Sequence, residues 1–268
     1  MAKATTIRNG TLGKHVLRLV EQDGQFFGLA DGKICTQGKN ADEVWDQLYN
    51  EAGKSDPNYF GFKGARARFL KFFPNGFQSD GYCSQERNYK IAAKEKLDAE
   101  APLKSALSGN GYGETILSVY RATNMLSPFE KTKLQDALRG NDADEIVQSL
   151  AKFAVEGNQN ALARLGAVLK PYDSAKWTVV TYLPYLWQPD QHMFLKPEAT
   201  KDFATRVGHP FSSHYEARLN HSVYESLRDL ADRTNTELND LKPRDRIDIQ
   251  SFIWVVGAYQ EDREDVYP

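Results

Sequence analysis

The stretch HVLRLVEQDGQFFGLADGKICTQGKNADEVWDQLYNEA, residues 15–52, decides how the chain begins. Residues 15–20 alternate imperfectly between apolar and polar, and Asp23-Gly24 then supplies a two-residue hairpin turn. Phe26-Phe27-Gly28-Leu29 follows, a second turn is read at Asp31-Gly32, and Lys33-Ile34-Cys35-Thr36 gives a third short strand. Asn40 is placed to cap a helix over 41–52, where Val44, Trp45, Leu48 and Tyr49 form one apolar stripe. Three strands need a cover and this helix offers one, so a small β-meander with one helix is expected.

Downstream the pattern turns helical. Helices are expected over 62–73, 84–100, 114–123, 142–156, 158–170 and 197–207. Ser127-Pro128-Phe129-Glu130 combines a capping serine, a first-turn proline and a capping-box glutamate, so a helix should run from there to Arg139, with Gly140 just beyond it. Residues 177–187 carry strand propensity in Val179, Val180 and Thr181 but helical spacing in Val179, Leu183 and Leu186, and we read them as a helix. Ser222-Val223-Tyr224-Glu225 reads as a second capping box, and residues 248–256 as a closing buried helix. The expected class is therefore mainly α (α+β): a β-meander and helix over residues 1–55, then a multi-helix, bundle-like domain over 56–268.

Composition sets limits. With 268 residues, 41% hydrophobic and 26% charged, the chain can bury a core as one large or two modest domains, which excludes a largely disordered chain or a coiled-coil rod. No apolar run is long enough to span a bilayer and no apolar leader is visible, so a cytoplasmic protein without membrane contact is expected. Cys35 and Cys83 are too few for a disulfide framework or a zinc site. Cys83 stands at an expected helix start, but no histidine lies near it in sequence to make a nucleophile pair.

Net charge is −2, yet it is unevenly spread. From Lys54 to Lys94 there are eight basic and three acidic residues, a local excess of five positive charges. Within it, Tyr59-Phe60-Gly61-Phe62-Lys63-Gly64-Ala65-Arg66-Ala67-Arg68-Phe69-Leu70-Lys71-Phe72-Phe73 interleaves aromatics with cations. Cations neutralise phosphates and aromatics can stack on bases, although the phenylalanines also suit the core face of a helix. Arg87, Lys90 and Lys94 fall at i, i+3 and i+7, a stripe that would extend this surface.

The loop Leu107-Ser108-Gly109-Asn110-Gly111-Tyr112-Gly113 partly resembles the helix-hairpin-helix element of DNA repair proteins, through the order of Leu107, Gly109 and Gly111. Asn110 departs from it, standing where that element carries an apolar residue. The resemblance implies phosphate contact by backbone N–H groups at Gly109 and Gly111. The run Asp248-Ile249-Gln250-Ser251-Phe252-Ile253-Trp254 is similar to the closing helix of helical domains found beside restriction-type ATPases. That similarity implies a helical module over residues 100–257 used near nucleic acid, and it carries over no residue role.

His192, His209, His214 and His221 lack the spacing of metal ligands and read as solvated loop histidines. Asp245 and Asp248 suit either Mg²⁺ ligation, as in a nuclease, or capping of the closing helix. The reading that follows is a nucleic-acid-binding or accessory protein in a DNA-processing or defence complex, with contacts from Lys63, Arg66, Arg68, Lys71, Arg87, Lys90, Gly109 and Gly111. A binder is favoured over an enzyme, with no cofactor and no metal. The alternative is a protein–protein interaction subunit, and a metal-dependent nuclease stands third.

Overall fold

The computed structural model describes residues 4–12, 15–53 and 59–259. Four strands, β1 (Thr5–Leu12), β2 (His15–Gln22), β3 (Gln25–Ala30) and β4 (Lys33–Gly38), pair in sequence order as an antiparallel meander. The β2–β3 and β3–β4 turns are Asp23-Gly24 and Asp31-Gly32, and all four residues have positive φ. That conformation matches the strand twist, and Asp and Gly tolerate it. Helix α1 (Ala41–Gly53) starts where Asn40 accepts from the N–H groups of Asp42 (2.9 Å) and Glu43 (3.3 Å). Its Val44, Trp45, Leu48 and Tyr49 pack on Leu12, Leu17 and Leu19 as a separate apolar core. The approach is close: a Cβ on Gly28 would lie 3.1 Å from that of Leu48 and 2.3 Å from Thr36 Oγ1.

The sequence reading anticipated three strands; β1 is a fourth. TTIRNGTL shows little apolar alternation. An edge strand that contributes mainly Gly10 and Leu12 to the covered face needs only its hydrogen-bond ladder to β2.

The body runs α2 (Gly61–Phe72), α3 (Asp80–Tyr82), a π turn (Cys83–Arg87), α4 (Asn88–Glu100), α5 (Leu103–Ala106), α6 (Gly113–Arg121), α7 (Pro128–Arg139), α8 (Ala143–Glu156), α9 (Gln159–Leu169), α10 (Trp177–Trp187), α11 (Pro197–Val207), α12 (Phe211–His214), α13 (His221–Glu237) and α14 (Arg246–Ala258). The class is mainly α with an N-terminal β-meander and helix. The stretch of mixed propensity, α10, is helical and every residue in it is buried, so tertiary packing overrides its strand propensity. The α7 capping box is present: Ser127 Oγ accepts from Glu130 N–H at 3.3 Å, and Glu130 Oε2 accepts from Ser127 N–H at 2.7 Å.

Three local expectations differ. Asn220, not Ser222, caps α13, accepting from the Ser222 N–H at 3.1 Å. Asp245 caps α14, so that helix begins before Asp248. Gly140 ends α7 in an extended rather than a left-handed conformation.

The N-terminal unit meets the body through polar contacts. Asp46 pairs with Arg233 at 2.7 Å, and Tyr49 Oη lies 2.9 Å from Ser213 Oγ. The boundary expected near 53–58 falls largely on residues 54–58, outside the described residues.

Candidate nucleic-acid interface

The sequence of α2, GFKGARARFLKF, holds four cations and no carboxylate. Its apolar side is fixed by Phe62, Ala65 and Phe69, which are buried with Phe73 in the body's core. Helical geometry therefore turns Lys63, Ala67 and Lys71 outward, with Arg66 and the partly buried Leu70 at the margin. Lys63 and Lys71 are exposed. Arg66, 40% exposed, donates from Nε to Asp240 Oδ2 at 2.9 Å, with its Nη2 on the same oxygen.

Arg68 points the other way. Its guanidinium donates to the carbonyl of Val256 at 3.0 Å and to that of Tyr259, closing the C-terminal end of α14, and it lies over the Phe72 ring. Its charge is committed to holding α2 against α14.

Arg87 and Lys90 do not extend the surface; they are 9% and 1% exposed. Arg87 makes a two-point contact with Asp245 (2.6 and 2.8 Å) and reaches Asp248 at 2.8 Å. Lys90 donates to Glu86 at 3.2 Å and to Ser251 at 2.7 Å, and Tyr259 donates to the other Glu86 oxygen at 2.7 Å. Asp248, fully buried, also accepts from Tyr82 Oη at 2.6 Å and from Arg244 through its backbone N–H (2.8 Å), Nε (2.9 Å) and Nη2 (3.1 Å). Burial pushes the Asp248 carboxyl up, but hydrogen bonds from Arg244 and Tyr82 outweigh it and hold the group below the ordinary carboxylate value. Burial lowers the Lys90 ammonium, against the pull of Glu86. The expected stripe of Arg87, Lys90 and Lys94 is thus divided: only Lys94 is partly exposed, pairing with Asp98 at 2.6 Å. The reason is partly long-range: the carboxylates that hold Arg87 lie at the start of α14, about 160 residues along the chain, whereas Lys90 pairs with Glu86 one turn before it and reaches α14 through the Ser251 hydroxyl.

This cluster also answers for Asp245 and Asp248. Asp245 caps α14 through the N–H groups of Ile247 (2.9 Å) and Asp248 (3.3 Å), and both carboxylates are occupied by guanidinium groups. Oxygens saturated by cations have little capacity left for Mg²⁺.

The glycine loop is likewise engaged within the chain. The Gly111 N–H, at φ +81°, donates to Asp144 Oδ1 at 2.7 Å, and the Gly109 N–H donates to Ser105 O at 2.8 Å. Gln148 holds the loop from α8 through Gly109 O and Asn110. A carboxylate of the chain itself occupies the donor at Gly111 that the helix-hairpin-helix resemblance assigned to a phosphate.

The segment before α14 adds one further exposed cation, Lys242, that was not expected there. The segment before α14 crosses the C-terminal part of α2: Asp240 meets Arg66, the Leu241 side chain lies 3.6 Å from a Cβ built on Gly76, and Arg244 Nη2 donates to Phe77 O at 2.9 Å. Lys242, at φ +52°, is exposed in this segment, whereas the Arg244 guanidinium is held by Asp248 and Phe77 O. The signal in the sequence was the run Lys242-Pro243-Arg244, read there only for its neighbouring aspartates.

The histidines differ from expectation: His192 and His209 are buried. His192 Nε2 donates to Ala154 O at 2.8 Å, so Nδ1 accepts from Tyr224 Oη at 2.6 Å, and burial lowers its pKa to about 4. His209 accepts from Phe211 N–H on Nδ1 and donates from Nε2 to Asp229 at 2.8 Å. Asp42, Asp46, His214, Glu225 and Asp229 line a cleft of about 1080 Å³ between the N-terminal unit and α13. Among the described residues no group of three or more His, Cys, Asp or Glu side chains is placed to hold a metal ion. No described helix is long and apolar enough to cross a membrane.

No protein-family model matches the chain, and no curated protein or solved structure matches it either.

Proposed function

We propose that this chain is a nucleic-acid-binding or accessory protein that meets phosphates through Lys63, Arg66 and Lys71 of α2 together with Lys242. The observation that carries the reading is the outer side of α2, a helix with four cations and no carboxylate, where Lys63 is exposed; Lys71 is exposed too but has an interaction of its own within the chain. Arg66 is shared with Asp240, and the remaining sequence candidates, Arg68, Arg87, Lys90, Gly109 and Gly111, serve the fold. A fixed row of cations attracts a polyanion by Coulomb forces that salt screens. The test is fluorescence anisotropy with labelled DNA and RNA at about 50 and 200 mM salt, where affinity should fall steeply. Absence of binding at the lower salt would remove the reading.

A second reading, an interaction subunit, is favoured by the face of the sheet turned away from α1. Val16 and Ile34 are 61% and 63% exposed there, with Arg18 between the strands' apolar side chains. Replacing Val16 and Ile34 by Lys separates the two readings: if α2 is the working surface, anisotropy is unchanged.

A further inference from the structure

We infer that the outer face of the sheet is a docking surface for an amphipathic helix of a partner protein, one that carries a carboxylate beside its apolar stripe; the inference rests on the interaction-subunit reading above and leaves the nucleic-acid reading untouched. An antiparallel sheet with one face in water alternates apolar-in with polar-out along each strand. The two central strands here break that rule. Leu17 and Leu19 of β2 face α1, so Val16, Arg18 and Val20 point the other way. The register sets Leu29 opposite Arg18 and Phe27 opposite Val20, and on β4 it sets Ile34 opposite Leu29. Residues directly opposite share a face, so Val16, Val20, Phe27, Leu29 and Ile34 form one apolar patch. None of the five belongs to the core under α1 or to that of the body. Val16 and Ile34 stand in solvent, and Phe27 and Leu29 are half-buried. A sheet that is apolar on both faces is built to be covered on both.

Arg18 sets the chemistry of the occupant. It is exposed within the patch, with Val16 and Val20 along its strand and Leu29 across from it. Among the described residues no carboxylate pairs with it. The register brings no Asp or Glu to this face either: its other positions are Thr6, Asn9, Thr11, Gln22, Gln25 and Gln37. A guanidinium ringed by apolar side chains gains most from a carboxylate that arrives on an apolar surface and excludes water. A second copy of the chain brings the wrong group, since two-fold pairing lays the patch on itself and offers Arg18 only another cation. The area is also too small. Four strands about 4.8 Å apart and about six residues long give a face of roughly 300–400 Å², about half of what each partner of a stable dimer contributes. One helix suits that footprint. Helix α1, 13 residues and about 20 Å long, already covers the opposite face through Val44, Trp45, Leu48 and Tyr49. It is acidic, with Asp42, Glu43, Asp46 and Glu51, and the partner helix is of the same kind.

The experiment uses the full chain and fluorescence anisotropy with three labelled peptides of about fourteen residues, or four helical turns, at about 150 mM salt to screen contact with the cations of α2. The first carries leucines at i, i+3, i+4 and i+7 flanked by glutamates. The second has lysine for each glutamate, and the third is the first scrambled so that the leucine stripe is lost. The expected result is binding of the glutamate helix at about 10 μM, the strength of a small interface, and binding of the other two at least about tenfold weaker. Val16→Lys/Ile34→Lys should abolish binding, and Arg18→Glu should reverse the preference so that the lysine helix binds tighter. All three positions are exposed, and an unchanged melting curve shows that the fold persists. Failure of the glutamate helix to bind, binding that survives Val16→Lys/Ile34→Lys, or a preference unchanged in Arg18→Glu overturns the inference. Sedimentation of the chain alone then decides the reading beneath it. A dimer that Val16→Lys/Ile34→Lys dissociates makes a second copy the occupant and keeps the interaction reading; a monomer overturns that reading with the inference.

Discussion

Asp248→Asn puts the buried ion cluster to a quantitative test. In the native protein its carboxylate is wholly buried and takes five hydrogen bonds, one from Tyr82, one from Arg87 and three from Arg244. The amide keeps one acceptor oxygen, enough for Tyr82, but turns an NH₂ group toward the donors of Arg244 and removes the negative charge. Arg87, 9% exposed, retains Asp245 but loses half of its counter-charge. Breaking a buried pair from one side costs about 3–5 kcal/mol, because the remaining ion stays desolvated. For a protein of this size that is a fall in Tm on the order of 10 °C. Urea denaturation should report the loss as a lower midpoint at an unchanged slope. The pH dependence carries a sign. A carboxyl held below its unfolded value contributes stability above that value, about 3.9, and loses it as pH falls through the folded pKa. The gap between native and variant should therefore narrow in acid. A cost under about 1 kcal/mol at pH 7, or a gap that widens in acid, would refute the view that these charges are buried and mutually dependent.

Phe69→Ala, at the centre of the aromatic cluster, should cost about 3–5 kcal/mol in urea unfolding, whereas Phe129→Ala should change stability by less than about 0.5 kcal/mol. The His192 pKa near 4 lies below the ordinary 6.5, so the folded state resists protonation that the unfolded chain accepts; stability should fall between about pH 6.5 and 4, by on the order of 3 kcal/mol in total. Proton NMR should find the His192 ring signals not titrating between about pH 7 and 5, and a normal titration would show the ring to be solvated. Gly28→Ala should destabilise by about 1–3 kcal/mol in thermal melts, since its methyl has to displace Thr36 and Leu48.

The parts of the fold that were legible are those whose cause is local. Asp23-Gly24 and Asp31-Gly32 announce their turns because positive φ is a property of those residues. Ser127-Pro128-Phe129-Glu130 announces a helix start because the cap closes within four residues. The polar strand β1 carried no comparable mark, since its evidence is the ladder to β2. For the candidate site, the outward turn of Lys63 and Lys71 followed from the apolar spacing of Phe62, Phe69 and Phe73. The inward turn of Arg87 and Lys90 did not, because an i, i+3 row of cations looks solvated until the distant groups of α14 that cover it, Asp245 and Asp248 on Arg87 and Ser251 on Lys90, are known. The buried histidines had a faint local mark in their neighbours, Met193-Phe194-Leu195 after His192 and Pro210-Phe211 after His209.

The pairing of α2 with α14 also has a consequence for how the chain is made. Phe69 rests on Phe252 and Arg68 closes the last turn of α14, so α2 emerges from the ribosome about 180 residues before its partner. At about 5–20 residues per second, that leaves its phenylalanines uncovered for roughly 10–40 s. The sheet and α1 hold their own apolar core and can settle early, but the body completes its aromatic cluster only when residues near 252 arrive. In that interval like charge on the four cations of α2 opposes contact between the exposed phenylalanines of neighbouring nascent chains.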